Sequence, residues 1–262
     1  MVDLSEWGAD GIVTVLQWGQ CAEHGRYPIT VTNGHYTLSP FGGECPACKR
    51  LVEQKKRWGR QAIPIRFQRC TVAGYIAETP EQKGVKAQVI AFCKDIDARI
   101  KRGDSIVMAG NPGTGKTHLA CAIAQAASQA GYSVLFTRVR QMIRNIRESW
   151  RSDSTITEEK AIKRFAEVDL LVLDEVGVQA GTENEALLLF DVLAERYENM
   201  KSTILISNLP WFVPDEEKRK RSAKDMRDYL GERLYDRFFE AGSVVLPFTW
   251  ESYRGHAKGG AR

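Results

Sequence analysis

No stretch of this sequence is apolar for the roughly 20 residues that a membrane-spanning helix needs. The amino-terminal residues carry Asp3, Glu6 and Asp10 where a secretory leader would carry lysine or arginine. These two absences predict a cytoplasmic protein with no membrane partner. There is also no internal repeat and no low-complexity tract, which excludes repeat arrays. There is little excess of charge of one sign, with a net charge of only +4 over 262 residues. That balance permits nucleic acid as a partner without requiring it, so local clustering decides. What is present is a globular mix, 43% hydrophobic and 27% charged, long enough for one sizeable core and a small appendage.

Gly110, Asn111, Pro112, Gly113, Thr114, Gly115, Lys116 and Thr117 spell G-x-x-x-x-G-K-[ST], a phosphate-binding loop. An apolar run at 105–109 precedes it, and a helical pattern beginning at His118 follows. That strand–loop–helix context is what the motif requires. The glycines let the backbone wrap a polyphosphate with several N–H groups aimed at it. The helix adds the positive end of its dipole. Lys116 is expected to reach the β- and γ-phosphates, and the Thr117 hydroxyl to bind Mg²⁺.

The rest of the chain from about residue 73 alternates strands and helices. A helix is expected from Thr79 to about Lys101, with Val85, Val89, Ile90, Cys93 and Ile96 at helical spacing. Strands are expected at 105–109, 133–137, 170–174, 203–207 and 243–247. Five short apolar runs separated by helices predict a parallel sheet covered on both faces. Ligands of such sheets bind beyond the carboxyl ends of the strands. The phosphate loop, Asp174 and Asn208 all fall there.

Asp174 and Glu175 close a buried apolar strand, the second nucleotide signature. Asp174 is expected to hold Mg²⁺, and Glu175 to polarise an attacking water. Two acids capping a solvent-edge strand is the plainer alternative, and a preceding phosphate loop weighs against it. Asn208 fits a sensor position, where its amide would touch the γ-phosphate and the water; a turn-forming asparagine is the alternative. Arg233 and Arg237 lie one helical turn apart. An arginine there suits a finger in a neighbouring subunit's site, which would make hydrolysis depend on assembly. The alternative is a surface pair with Glu232 and Asp236.

Six cysteines in a cytosolic chain point to metal before disulfides. Cys21 and His24 form one short knuckle, Cys45 and Cys48 another. Residues 27–38 between them alternate β-formers around an Asn33-Gly34 turn signal. A hairpin there would gather all four ligands around Zn²⁺, whose binding would stabilise a module too short for its own core. Cys70, Cys93 and Cys121 read as small buried or semi-buried side chains, and His35 as a surface residue. Lys49, Arg50, Lys55, Lys56, Arg57, Arg60, Arg66 and Arg69, opposed only by Glu53, form a basic connector. Between the second and third sheet strands lies an insertion, roughly 139–165. Arg140, Arg144, Arg147 and Arg151 follow 4-3-4 spacing along an expected helix, beside an apolar stripe of Val139, Ile143, Ile146 and Trp150. A guanidinium face of this kind suits the backbone of single-stranded nucleic acid.

Together these residues resemble the AAA+ ATPases of the DnaC/DnaI helicase-loader group. The resemblance covers about residues 70–254. It rests on the phosphate loop through Leu119, on Asp-Glu-Val-Gly-Val-Gln at 174–179, on Leu-Gly-Glu-Arg-Leu-Tyr-Asp-Arg at 230–237 and on Phe-Thr-Trp-Glu-Ser-Tyr-Arg at 248–254. It implies ATP and Mg²⁺ as cofactors and the roles already assigned to Lys116, Asp174, Asn208 and Arg237. It also implies single-stranded DNA along the insertion, a replicative DnaB-type hexameric helicase as partner, and self-assembly into a ring or spiral. DnaI-type loaders carry an amino-terminal zinc domain, whereas the familiar DnaC has no zinc knuckles. The expected organisation is a zinc-ribbon-like module at 1–50, a basic linker at 51–72, the AAA+ domain at 73–254 and a flexible tail at 255–262. Two other functions share these motifs. One is a transposition helper ATPase of the IstB type; the other is a zinc-module adaptor with structural ATP.

Overall fold

The computed structural model describes residues 14–22, 25–32, 37–39, 43–46, 48–49, 52, 63–178, 183–221, 224–240 and 243–253. An antiparallel sheet of β1 (Thr14–Cys21), β2 (Gly25–Thr32) and β3 (Thr37–Leu38) comes first, in that spatial order. β2 and β3 fall in the expected β-forming stretch; Asn33 and Gly34 lie outside the described residues. β1 is an addition. Its residues Thr14, Val15 and Trp18 are the strand-forming types that make it possible. Cys21, the last residue of β1, pairs directly with Gly25, the first of β2.

α1 (Pro80–Lys94) starts as the sequence indicates. The Thr79 hydroxyl accepts from the Gln82 N–H, and the Gln82 side chain accepts from the Thr79 N–H, a reciprocal cap. The single helix expected to Lys101 is instead two. Asp95 leaves helical geometry (φ −104°, ψ 27°), and α2 (Ile96–Arg102) restarts after it. The break lets Ile96 and Ile100 turn into the core that Val85, Val89 and Phe92 already occupy. Asp104 then binds Arg99 (3.1 Å) and Arg102 (2.8 Å), which ties down the end of α2.

The main sheet follows. β4 (Ile106–Gly110), α3 (Lys116–Gln129), β5 (Val134–Arg138), α4 (Val139–Arg147), α5 (Glu158–Ala166) and β6 (Leu170–Val176) succeed one another along the chain. Then come α6 (Glu183–Glu198), β7 (Ser202–Ser207), α7 (Asp215–Arg221), α8 (Met226–Leu230), α9 (Glu232–Glu240) and β8 (Val244–Phe248). The spatial order is β5-β6-β7-β4-β8, and every neighbouring pair is parallel. Alternate strand residues feed two cores. Ile106, Met108, Val172, Ile204 and Leu246 pack with α1 and α3 on one face. Val107, Leu171, Leu173 and Leu205 pack with α4, α5, α6, α8 and α9 on the other. This is the expected covered parallel sheet. A sheet buried on both faces needs apolar residues at every strand position, which is why the strands read as unbroken runs.

One buried cation joins the helical face to the strands. Arg196 of α6, 1% exposed, donates to the carbonyls of Phe165, Ala166, Val168 and Ser202 and to the Thr203 hydroxyl. Each acceptor would otherwise be a desolvated polar group. Burial pulls its guanidinium down to about 9, and Asp169 opposes that shift.

The insertion departs from expectation. It is not one helix: α4 ends at Arg147, residues 148–150 tighten into a 3-10 turn, and Arg151 is extended (φ −69°, ψ 143°). Val139, Ile143 and Ile146 are buried as expected, but Trp150 is 48% exposed. Among the described residues, no helix is long and apolar enough to cross a membrane.

Candidate active site

The loop between β4 and α3 lies at the carboxyl edge of the sheet, because β4 runs parallel to its neighbours and ends at Gly110. Gly115, at the amino end of α3, has no side chain with which to cap the helix. The first N–H groups of α3 are therefore open to an anion. Lys116 is buried, and its Nζ donates to the carbonyls of Gly110 (2.7 Å) and Asn111 (2.5 Å). The ammonium is thus held inside the loop it belongs to. Pro112 and Asn111 are exposed on the loop's outer side.

Thr117 and Asp174 meet. The Thr117 hydroxyl donates to Asp174 Oδ2 (3.2 Å), across from α3 to the end of β6. Asp174 Oδ1 accepts from the Glu175 N–H (2.8 Å). Burial raises the Asp174 carboxyl above the ordinary carboxylate range, and those two hydrogen bonds oppose the shift. A hydroxyl beside a desolvated carboxylate is a donor set that fits Mg²⁺, which favours oxygen ligands.

Glu175 adopts φ +60°, rare for a residue with a side chain. The pairing of β6 with β7 slips by one residue at the same point, since Leu173 faces Leu205 but Val176 faces Ser207. An extra residue on one strand is a bulge, a device that re-aims a side chain. The bulge turns Glu175 out of the strand alternation, and Glu175 Oε1 takes an ion pair from Arg138 Nε at the end of β5 (3.3 Å). No sequence motif marks Arg138. Its signal is positional: it ends the strand beside β6.

The chain after β8 returns over the phosphate loop. The Asn111 N–H donates to the Phe248 carbonyl (2.7 Å), and its side-chain Nδ2 donates to the carbonyls of Thr249 (2.8 Å) and Trp250 (3.1 Å). The indole N–H of Trp250 donates to the Thr114 carbonyl (3.3 Å), and the Tyr253 N–H to the Gly113 carbonyl (3.0 Å). A Cβ on Gly113 would lie 2.1 Å from the Ser252 hydroxyl oxygen. From the other side, the Tyr75 hydroxyl donates to the same Thr114 carbonyl (3.1 Å). Burial pushes that phenol up to about 12. His118 bonds the Thr71 carbonyl through Nε2 (2.8 Å) and tilts against the Tyr75 ring. His118 is thus occupied by the segment that precedes α1. Thr114, whose hydroxyl donates to the Asn111 carbonyl, is held from three directions.

Asn208 directly follows β7, between the strands that carry Asp174 and the phosphate loop, and is exposed. Arg233 is exposed on α9. Arg237 is not in its own chain's site. It shares a cavity with Gly103, Ser105, Met200 and Lys201, at the amino ends of β4 and β7. Its guanidinium lies over the Tyr197 ring (5.2 Å) and the Phe190 ring (5.9 Å), and its Nη1 is buried without a hydrogen-bond partner among the described residues. The alternative pairing with Glu232 is not formed, since Glu232 binds Arg227 (2.7 Å).

Of the arginine stripe, Arg140 and Arg144 are exposed on α4. Arg147 pairs with Glu185 (3.6 Å) and lies over the Trp150 ring. Arg151, beyond the helix, pairs with Asp153 (3.0 Å). The four therefore do not form one helical row, because the helix ends before the last of them.

Cys21, Cys45 and Cys48 bring their sulfurs within 4.8 Å of one another, and Cys21 and Cys48 are 3.6 Å apart. Tetrahedral Zn–S bonds of about 2.3 Å place sulfurs about 3.8 Å apart, so the donor set fits Zn²⁺. The Cys21 contact first, then burial and Cys45, push the Cys48 thiol up to about 12. His24, the expected fourth ligand, lies outside the described residues.

The family model described as IstB-like ATP binding protein matches residues 76–261. The replicative helicase loader DnaC of Buchnera aphidicola subsp. Acyrthosiphon pisum (strain APS) is 30% identical over 210 residues, 80% of this chain and 79% of that protein. A crystal structure of the DnaC helicase loader superposes with a TM-score of 0.59 at 22% identity, covering 71% of this chain and all of that one. A crystal structure of DnaI superposes with a TM-score of 0.53 at 19% identity, covering 71% and 95%. The fold and the loop define an AAA+ nucleotide-binding protein. Within that class, the chain belongs to the IstB-like ATP-binding family, in the DnaC/DnaI helicase-loader group.

Proposed function

We propose that this protein is an ATP-dependent loader of a replicative DnaB-type hexameric helicase onto single-stranded DNA. The observation that carries the reading is the likeness to a protein named as a replicative helicase loader, sustained over four-fifths of the chain. The family match at residues 76–261 spans the phosphate loop, the Asp174–Glu175 edge and the segment that returns over the loop.

When bound, Mg–ATP supplies the phosphoryl group to be cleaved. The amides at the start of α3 and Lys116 Nζ hold the phosphates, and Lys116 exchanges two carbonyl partners for them. Thr117 and Asp174 hold Mg²⁺. Glu175, turned out of β6 by the bulge, accepts a proton from the attacking water at its carboxylate. Asn208 orients that water. Arg237, at the opposite edge of the sheet from its own Lys116, reaches the site of a neighbouring subunit, with Arg233 flanking it. Hydrolysis on this reading requires assembly into a ring or spiral. Arg140 and Arg144 grip the DNA backbone, supported by Arg147 and Arg151 once their carboxylate partners are displaced. Residues 1–50 form a zinc module with His24 as fourth ligand, and 51–72 a linker to the motor at 73–254.

Co-purification with a replicative helicase, scored with and without ATP, tests the central claim. Stable capture in ATP, lost in the Lys116→Ala variant, is the expected result. The family description supports a second reading, an IstB-type helper in transposition. Recovery of a transposase and no helicase would replace the first reading with it.

A further inference from the structure

The two faces of the amino-terminal sheet are not equivalent. Directly paired residues of an antiparallel ladder point to the same side. Gly19 pairs with Tyr27, and Cys21 with Gly25, on one side. That side is covered: the Tyr27 hydroxyl donates to the Gly43 carbonyl (2.9 Å), and Cys21 meets Cys45 and Cys48. Trp18 pairs with Pro28 and Gln20 with Arg26 on the other side. There Trp18 is 49% exposed, and the Arg26 guanidinium lies 4.9 Å from the centre of its ring. Neither strand contains a single aspartate or glutamate. The sequence beyond the second knuckle then supplies Lys49, Arg50, Lys55, Lys56 and Arg57.

An exposed indole is a poor residue to leave in water without a partner. With a guanidinium over one face, on a ladder free of carboxylates, it offers stacking area beside a phosphate-binding cation. Unpaired bases stack on such rings and on arginine planes alike, whatever their sequence. A duplex hides its base faces and does not suit the surface. An acid-free strand pair does not repel a phosphate backbone.

We propose that Trp18 and Arg26 form a second site for single-stranded nucleic acid on the outer face of the zinc module, separate from the arginines of α4. The cysteines occupy the opposite side, and on this face Trp18, Gln20 and Arg26 are exposed while Pro28 is buried among them. Gln20 beside them offers an amide to a base edge.

The test is binding of a fluorescein-labelled oligothymidine to the full chain, followed by anisotropy across a salt series. Trp18→Ala is expected to weaken binding about tenfold, in the range of one lost base stack. Trp18→Phe, which keeps a stacking ring, is expected to retain most of the affinity. Arg26→Ala is expected to reduce the salt dependence by about one counterion. The paired variant Arg140→Ala with Arg144→Ala weakens the motor's site alone. If Trp18→Ala then weakens what remains, two sites exist. Wild-type affinity in both Trp18→Ala and Arg26→Ala overturns the proposal and leaves the α4 site standing. So does loss of helicase capture with unchanged DNA binding, which makes this face a protein-docking surface.

Discussion

Replacing Gly113 by alanine separates two costs that the phosphate loop avoids. Gly113 has φ +76°, where an L-residue is disfavoured by roughly 1–2 kcal/mol. Its new methyl would also meet Ser252, at 2.1 Å from the hydroxyl oxygen and 3.0 Å from Cβ. Rotating the serine moves its oxygen but not its Cβ. The strand end cannot simply back away, because the Tyr253 N–H is bonded to the Gly113 carbonyl at 3.0 Å. Releasing that bond costs about 1 kcal/mol. The total is about 2–3 kcal/mol against the loop conformation that holds a nucleotide. At about 1.4 kcal/mol per decade, Gly113→Ala weakens ATP binding by roughly thirty- to a hundredfold. Adding Ser252→Gly removes the second cost alone and recovers about fivefold of that loss. Ser252→Gly by itself changes affinity by less than about twofold. The assay is titration with a fluorescent ATP analogue on all four proteins. If the double variant binds no better than Gly113→Ala, the carboxyl-terminal segment does not brace the loop, and the reasoning fails.

Three further outcomes follow from the same edge of the sheet. Glu175→Gln keeps the side chain's shape but cannot take a proton, so ATP still binds while phosphate release slows at least about a hundredfold; undiminished release would remove Glu175 as the base. Asp174, with its carboxyl raised by burial, stabilises the fold fully below the unfolded pKa near 4, and that contribution is lost as pH rises through the higher folded value. Asp174→Asn therefore melts higher than wild type at pH 7 without Mg²⁺ and gains nothing at about pH 3, while losing any stabilisation by Mg²⁺ with ATP; a lower melting point at pH 7 would contradict the burial argument. Mixing Glu175→Gln with Arg237→Ala, each inactive alone, restores hydrolysis if the arginine acts across subunits, because some interfaces then pair an intact Glu175 with an intact Arg237. No recovery at any ratio would refute the action of Arg237 across subunits.

Much of the fold was legible because a parallel sheet needs continuous apolar strands, and the five runs stand out between helices. The misreadings have local causes. Asp95 interrupts a helix whose apolar spacing continues through it, since Val85, Val89, Phe92, Ile96 and Ile100 all face one core. Periodicity registers the core and not the bend. Trp150 extends the spacing of Val139, Ile143 and Ile146, but the chain tightens into a 3-10 turn at 148–150 and Trp150 is left half exposed. β1 shows no regular alternation, in keeping with the register shifts between Val15 and Trp18.

The site divides in the same way. Lys116, Thr117, Asp174 and Glu175 stand beside strands that are neighbours in the sheet or one removed, and short motifs identify them. What fixes the loop in place does not repeat in any short window: Asn111 reaches Thr249 and Trp250 across 138 and 139 residues. The terminal Trp-Glu-Ser-Tyr segment is distinctive as text, yet nothing in its spelling says that it lies on the phosphate loop. Its chemistry is carried by backbone carbonyls and N–H groups, which every residue has. The side chains matter by what they permit: a glycine at 113 small enough to pass Ser252, an indole at 250 long enough to reach Thr114. A contact made by main-chain atoms constrains size more than identity. The same logic explains the strained Glu175. Its type marks it as an acid, while its aim depends on one extra residue between β6 and β7, a count that appears only when the two strands are laid side by side.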